Sequence, residues 1–246
     1  MRHVFRSLTA MLFASILWAA PAVAQSVYGP GGLFINPTAK ITPTGQFEPS
    51  TLVLTEHTPY ADAPNGFHQS TWISSAVDYG VSPRLEVGAA IVTITNAPDA
   101  GDASVGGYAK YLLLGETVTR PALAVGATYL GGGQTGFREG FMALRKKIPH
   151  SPVTTHFGVQ YADRVDGIDK HSFEPFLGVE LKLLRNWSLS AEGRPRMNGE
   201  NGQPLALTLV RSTPRGYQVA FTWANNGPSS TPQLGFGIGV ALGSRR

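Results

Sequence analysis

The sharpest catalytic pattern in the chain is His68-Gln69-Ser70, a histidine and a serine two residues apart. On a strand that spacing puts both side chains on one face, the arrangement in which an imidazole can activate a hydroxyl nucleophile. Trp72, Ser74, Ala76 and Asp78 continue the same face, so the pair is expected to look away from lipid, whereas cutting an acyl chain in a bilayer needs a lipid-facing pair. His171-Ser172 has the wrong spacing for a shared face. His57, His150 and His156 are dispersed and form no metal-ligand spacing. Gly131-Gly132-Gly133 and the late Gly-x-Gly run precede no helix that could hold a phosphate. With no cysteine in 246 residues, thiolate catalysis and disulfides are excluded. No cofactor and no metal are expected.

A second set of side chains is more extensive. Asp78, Glu86, Glu139, Glu174, Glu180 and Glu192 stand with Lys110, Arg145, Lys147, Lys182, Arg194 and Arg196 on the polar faces of alternating segments. Residues 171–197 illustrate the rule. Phe173, Pro175, Leu177, Val179, Leu181 and Leu183 alternate with Ser172, Glu174, Phe176, Gly178, Glu180 and Lys182, and after Arg185-Asn186 the pattern resumes with Trp187, Leu189 and Ala191. If the apolar face meets lipid, the charged face lines a lumen. Carboxylates and cations in comparable numbers predict a salt-bridged interior, not a single-sign ion conduit. At a rim, any one of them would simply be solvated.

The elements that must position these groups are strands. Charged residues make up 15%, and glycine (29) and proline (18) punctuate the chain. Arg2, His3 and Arg6, then an apolar run from Leu8 to Ala20, then Ala22-Val23-Ala24 before Gln25 read as a cleaved secretory signal. No later run approaches the roughly 18 apolar residues of a membrane helix. The formal charge of +4 includes Arg2 and Arg6, so the remainder is close to neutral and nucleic acid is not an expected partner.

Twelve strands are predicted, at 47–56, 69–81, 84–95, 103–114, 121–130, 137–148, 153–162, 171–184, 187–197, 204–212, 217–225 and 233–243. The first has the weakest pattern, because Pro49 interrupts it. Connections alternate between long and short, which sorts long loops to one rim and tight turns to the other. Tyr79, Tyr111, Trp187 and Tyr217 fall near the tight-turn rim, and Tyr129, Tyr161, Phe173, Trp223 and Phe236 near the long-loop rim, all facing outward. Two aromatic belts around a band of Leu, Val, Ile and Ala suit a bilayer. The expected fold is all-β: a closed antiparallel up-and-down transmembrane barrel of about twelve strands.

Residues 1–24 are then the export signal, 25–46 an N-terminal Gly/Pro-rich segment, and 47–246 the barrel. The last strand alternates Gly235, Gly237, Gly239, Ala241 and Gly243 with Leu234, Phe236, Ile238, Val240 and Leu242. Its bare inner stripe either admits residues 25–46 as a plug or eases curvature at the closing seam.

Residues 29–45, GPGGLFINPTAKITPTG, resemble the opening motif of YjbH-like outer-membrane proteins through Gly31, Gly32, Leu33, Pro37, Thr38, Ala39 and Gly45. DYGVSPRLEVGAA at 78–90 looks like the hairpin that follows in such barrels. The resemblance implies a role in exopolysaccharide production or secretion without a known catalytic site. The expected protein is therefore a non-enzymatic outer-membrane component assisting polysaccharide export or passing small solutes. Membrane lipid, and polysaccharide or its export proteins, are the expected partners. Two other classes stay open: an outer-membrane lipid hydrolase using His68 and Ser70, and a soluble periplasmic β-sandwich binding module.

Overall fold

The computed structural model describes residues 36–59, 67–95, 103–132, 137–164, 172–195, 205–214, 216–225 and 233–242. Period-two alternation yields β1 (Phe47–Pro59), β2 (Phe67–Gly80), β3 (Leu85–Thr95), β4 (Ser104–Leu114), β5 (Ala122–Gly131) and β6 (Phe137–Lys147). It continues through β7 (Val153–Arg164), β8 (Ser172–Leu184), β9 (Trp187–Gly193), β10 (Leu205–Ser212), β11 (Tyr217–Asn225) and β12 (Gln233–Val240). Each strand pairs antiparallel with its neighbour in sequence, and β1 pairs with β12 to close a twelve-strand barrel. Closure leaves no unpaired edge, which lipid would penalise by several kcal/mol per orphaned backbone group.

The sandwich alternative fails here. Among the described residues there is one closed sheet and no second layer over the outward side chains, and Leu177 and Val179 are exposed at 53% and 39%. Tyr79, Tyr111, Tyr129, Tyr161, Phe173 and Phe236 are exposed as well. Phe221 and Phe236 stack edge to face across β11 and β12, with centroids 5.5 Å apart. Arg211 lies over the Trp187 ring, 5.6 Å from its centroid.

Sequence and structure differ at three places. β1 is longer than expected, pairing with β2 from Phe47 to Pro59. Pro49 is tolerated because it falls at the seam: the β12 ladder runs from Ser50–Gly239 to Thr55–Leu234, and beyond Pro49 only the Phe47–Leu242 bridge continues it. β9 stops at Gly193, short of the expected end at 197. The connection at 115–121 is no shorter than that at 132–136, so loop sorting by length is imperfect. The 115–121 loop is instead pinned by hydrogen bonds: the Thr117 amide donates to Arg120 O (2.9 Å), and the Lys146 ammonium donates to the carbonyls of Thr117 and Val118 (2.6 Å each).

Candidate functional site

Alternation decides which side chains look toward the axis, and register decides which of them meet. Glu86 and Lys110 lie directly opposite on β3 and β4, and their side chains pair at 2.9 Å, both essentially inaccessible to solvent. The Tyr108 hydroxyl donates to Glu86 Oε1 (3.2 Å) and also contacts Asp78. Across the barrel, Arg194 Nη1 donates to Glu174 Oε2 at 3.2 Å, and Gln160 Nε2 reaches the same oxygen at 3.2 Å. Glu192, one strand register away on β9, is buried beside them.

The N-terminal segment joins these two networks. The Asn36 backbone and side-chain amides both donate to Glu192 Oε2 (3.1 and 2.9 Å), while Asn36 Oδ1 accepts from Arg194 Nε at 3.3 Å. Six residues later the Thr42 amide donates to Glu86 Oε2 at 2.7 Å. β9 and β3 stand six positions apart in a twelve-strand ring, so these anchors lie on opposite walls. Six extended residues reach about 20 Å, enough to cross between them. Residues 36–42 therefore traverse the lumen.

Midway, Ala39 packs with Ala122, Ala124, Phe141, Ala143 and Phe176 of β5, β6 and β8. Lys40 is exposed, yet its electrostatic neighbours are Glu48, Glu180, Arg145 and Lys110 on four strands. A side chain that meets solvent while four walls surround it lines an internal aqueous space. Nearer the long-loop rim, Trp72 packs against two apolar groups, Leu52, Leu54, Ala206 and Ala224 on one side and Ala76, Ala90, Val92 and Leu130 on the other. This apolar layer within a polar lumen was not expected from the sequence.

The segment re-enters the wall through a close approach. Gly45 adopts φ 74°, a turn conformation suited to glycine, and its amide donates to Gly80 O at 2.7 Å. A Cβ on Gly80 would overlap the carbonyl groups of Thr42 and Pro43. Gly80→Val is therefore expected to dislodge residues 42–46, raising their cleavage by protease in detergent several-fold over wild type. Unchanged cleavage would mean that the segment is held without this contact.

Part of the β12 glycine stripe is covered by the neighbouring strand, and residues 25–35 of the plug considered above lie outside the described residues. A Cβ on Gly235 or Gly237 would meet the side chains of Leu54 or Leu52, so β1 covers the stripe at these two positions. The described part of the crossing segment, residues 36–42, lies against β3, β5, β6, β8 and β9.

Of the expected interior charges, Asp78, Glu86, Lys110, Glu139, Glu174, Glu192 and Arg194 are buried. Arg145 is partly buried and pairs with Glu116 of the 115–121 turn, while Glu180 is half-exposed beside His156. Lys147 and Lys182 are exposed at the tight-turn mouth, and Arg196 lies outside the described residues. Ser70 is buried on the face it shares with Ser74 and Asp78; the His68 side chain lies outside the described residues. Sequence reading missed Asn36, Thr42, Tyr108, Gln160 and His156. Tyr108 had a usable signal, since it alternates in phase with Lys110. Asn36 and Thr42 had none, because a non-alternating segment has no face to assign.

The family model YjbH, described as exopolysaccharide biosynthesis protein YbjH, matches residues 24–174. No curated protein matches the chain. Among solved structures, a KdgM porin superposes with a TM-score of 0.57 at 8% identity, covering 80% of this chain and 99% of its own. The same porin is also known in complex with disordered oligogalacturonate. An outer membrane channel from Pseudomonas putida F1 superposes with a TM-score of 0.56 at 12% identity, covering 85% of this chain and all of its own (100%). At such identities the likeness speaks for the fold alone.

Proposed function

The chain belongs to the YjbH family of exopolysaccharide biosynthesis proteins, and from that premise we propose that it is a non-enzymatic outer-membrane barrel assisting the export of a polysaccharide. The observation that carries this reading is a closed barrel whose polar lumen is crossed by the chain's own N-terminal segment. A wall with an aqueous interior offers a path, and the crossing segment narrows it. In this division residues 1–24 serve export, 25–46 form the N-terminal segment whose residues 36–42 cross the lumen, and 47–246 are the barrel. Membrane lipid surrounds the outer face, and polysaccharide or its export machinery is met at the rims. The family's link to exopolysaccharide supports a glycan as the passing species over an unrelated small solute.

Hydrolysis has less to recommend it. Ser70 looks into the barrel, where acyl chains do not reach. Deleting the gene in the host organism is expected to lower surface polysaccharide several-fold, and wild type and Ser70→Ala should restore it equally. A Ser70→Ala protein present at normal amounts that fails to restore secretion would favour the hydrolase. Recovery of the wild-type protein as a dissolved periplasmic species, not with the outer membrane, would overturn both.

A further inference from the structure

The inner wall of β6, β7 and β8 near the tight-turn mouth carries a cluster that the two lumen networks leave unused. Lys147, Thr154 and Glu180 lie in one row across these strands, and Arg145, His156 and Gly178 in the next. Lys182 follows Glu180 on the same face, and Lys40 of the crossing segment feels Glu180 and Arg145 from within the lumen. The carboxylates facing this group are Glu180, Glu116 against Arg145, and Glu48 against Lys40. The ammonium groups of Lys147 and Lys182 form no ion pair among the described residues, and both are exposed.

Two further features point to a ligand. His156 is 4% exposed, and neither of its ring nitrogens has a hydrogen-bond partner among the described residues; Glu180 Oε2 lies 3.8 Å away, too far for one. The tight-turn rim adds Arg120 and Arg185 on turns adjoining these strands and Arg84 farther round it, all exposed, and among the described residues of those three turns Glu116 is the single acid. A mouth at which one sign of charge predominates focuses its field on an approaching counter-charge.

We infer that this wall is a subsite for the carboxylate of an acidic sugar unit, and that the basic rim draws an anionic polysaccharide to it. Lys147 and Lys182 supply the charge, His156 a hydrogen bond, and Glu180 an acceptor for sugar hydroxyls. Bilayer lipid does not reach these groups, because they stand on the inner side of a closed wall. The outward cations differ: the Lys146 ammonium is taken up by the carbonyls of Thr117 and Val118, and Arg211 lies over Trp187. A polymer fits better than a single anion, since cations continue from the wall to the turns and successive units each gain a contact.

This subsite rests on the reading of the protein as a polysaccharide exporter, and the test separates the two. The full mature chain is reconstituted in phosphatidylcholine liposomes, and binding of oligogalacturonate and of neutral maltodextrin of equal length is measured by calorimetry. Oligogalacturonate is expected to bind about tenfold more tightly at low salt, with the advantage shrinking as salt rises. Lys147→Gln with Lys182→Gln should lose about tenfold for oligogalacturonate alone, as expected for two exposed charge contacts. Lys147→Arg with Lys182→Arg should retain binding, which guards against a folding defect, and Arg211→Gln on the outer face of β10 should change nothing. Equal affinity for both glycans, or a preference that survives the paired glutamine substitution, would overturn the subsite while leaving glycan export standing. Binding of neither glycan would remove both. An effect matched by Arg211→Gln, or confined to phosphatidylglycerol liposomes, would assign these lysines to lipid headgroups and overturn the subsite.

Discussion

Removing residues 26–45 is expected to raise single-channel conductance in planar bilayers several-fold while leaving a closed barrel. Eight strands enclose an interior that side chains fill, and sixteen leave an aqueous channel. Twelve strands lie between, with room that a crossing peptide takes up. The described part of that peptide ties opposite walls: Asn36 to Glu192 and Arg194, Thr42 to Glu86, and Ala39 to the apolar wall of β5, β6 and β8. Hydrogen bonds to charged acceptors contribute about 1.5–3 kcal/mol each, so the truncated protein should lose stability as well as its constriction. The barrel survives because the backbone ladder between β1 and β12 does not depend on the segment. Conductance equal to wild type would mean that the flow is limited elsewhere, with the layer around Trp72 the next place to open.

Lys110→Met is expected to destabilise the barrel by about 3–5 kcal/mol, because it strips the partner from a carboxylate that cannot reach water. Lys110 and Glu86 are 0% and 1% exposed and pair at 2.9 Å, and Asp78 stands close by through Tyr108. The same Glu86 accepts the Thr42 amide, so the substitution should also loosen the crossing segment. Urea unfolding of the liposome-reconstituted protein, followed by tryptophan fluorescence, reads the loss. Adding Glu86→Gln should recover most of it, since the uncompensated charge then disappears. A double variant as unstable as Lys110→Met would refute charge burial as the cause and leave lost packing of the lysine stem.

Legibility followed the range of the interaction. The hairpin of β8 and β9 could be read because two alternating runs flank a two-residue connection at Arg185-Asn186, and the structure places its turn there. The pairing of Glu86 with Lys110 was nearly as accessible, since adjacent antiparallel strands bring them face to face once register is known. Tyr108 could be placed inward by the same phase. The β12 glycines show where this stops: their lack of side chains predicts an occupant, yet whether Leu52 and Leu54 or the N-terminal segment fills the space depends on how the seam closes.

By itself, the sequence determined the alternation of each strand, hence which residues face lipid and which face the axis, and through the cost of unpaired backbone in lipid it required the sheet to close. Only the tertiary structure decided that Asn36 meets Glu192, 156 positions along the chain, and that six residues later Thr42 meets the opposite wall. Strand phase is a local property written in neighbouring side chains. The path of a segment with no phase is settled by which buried carboxylates still need donors once the wall has closed around it.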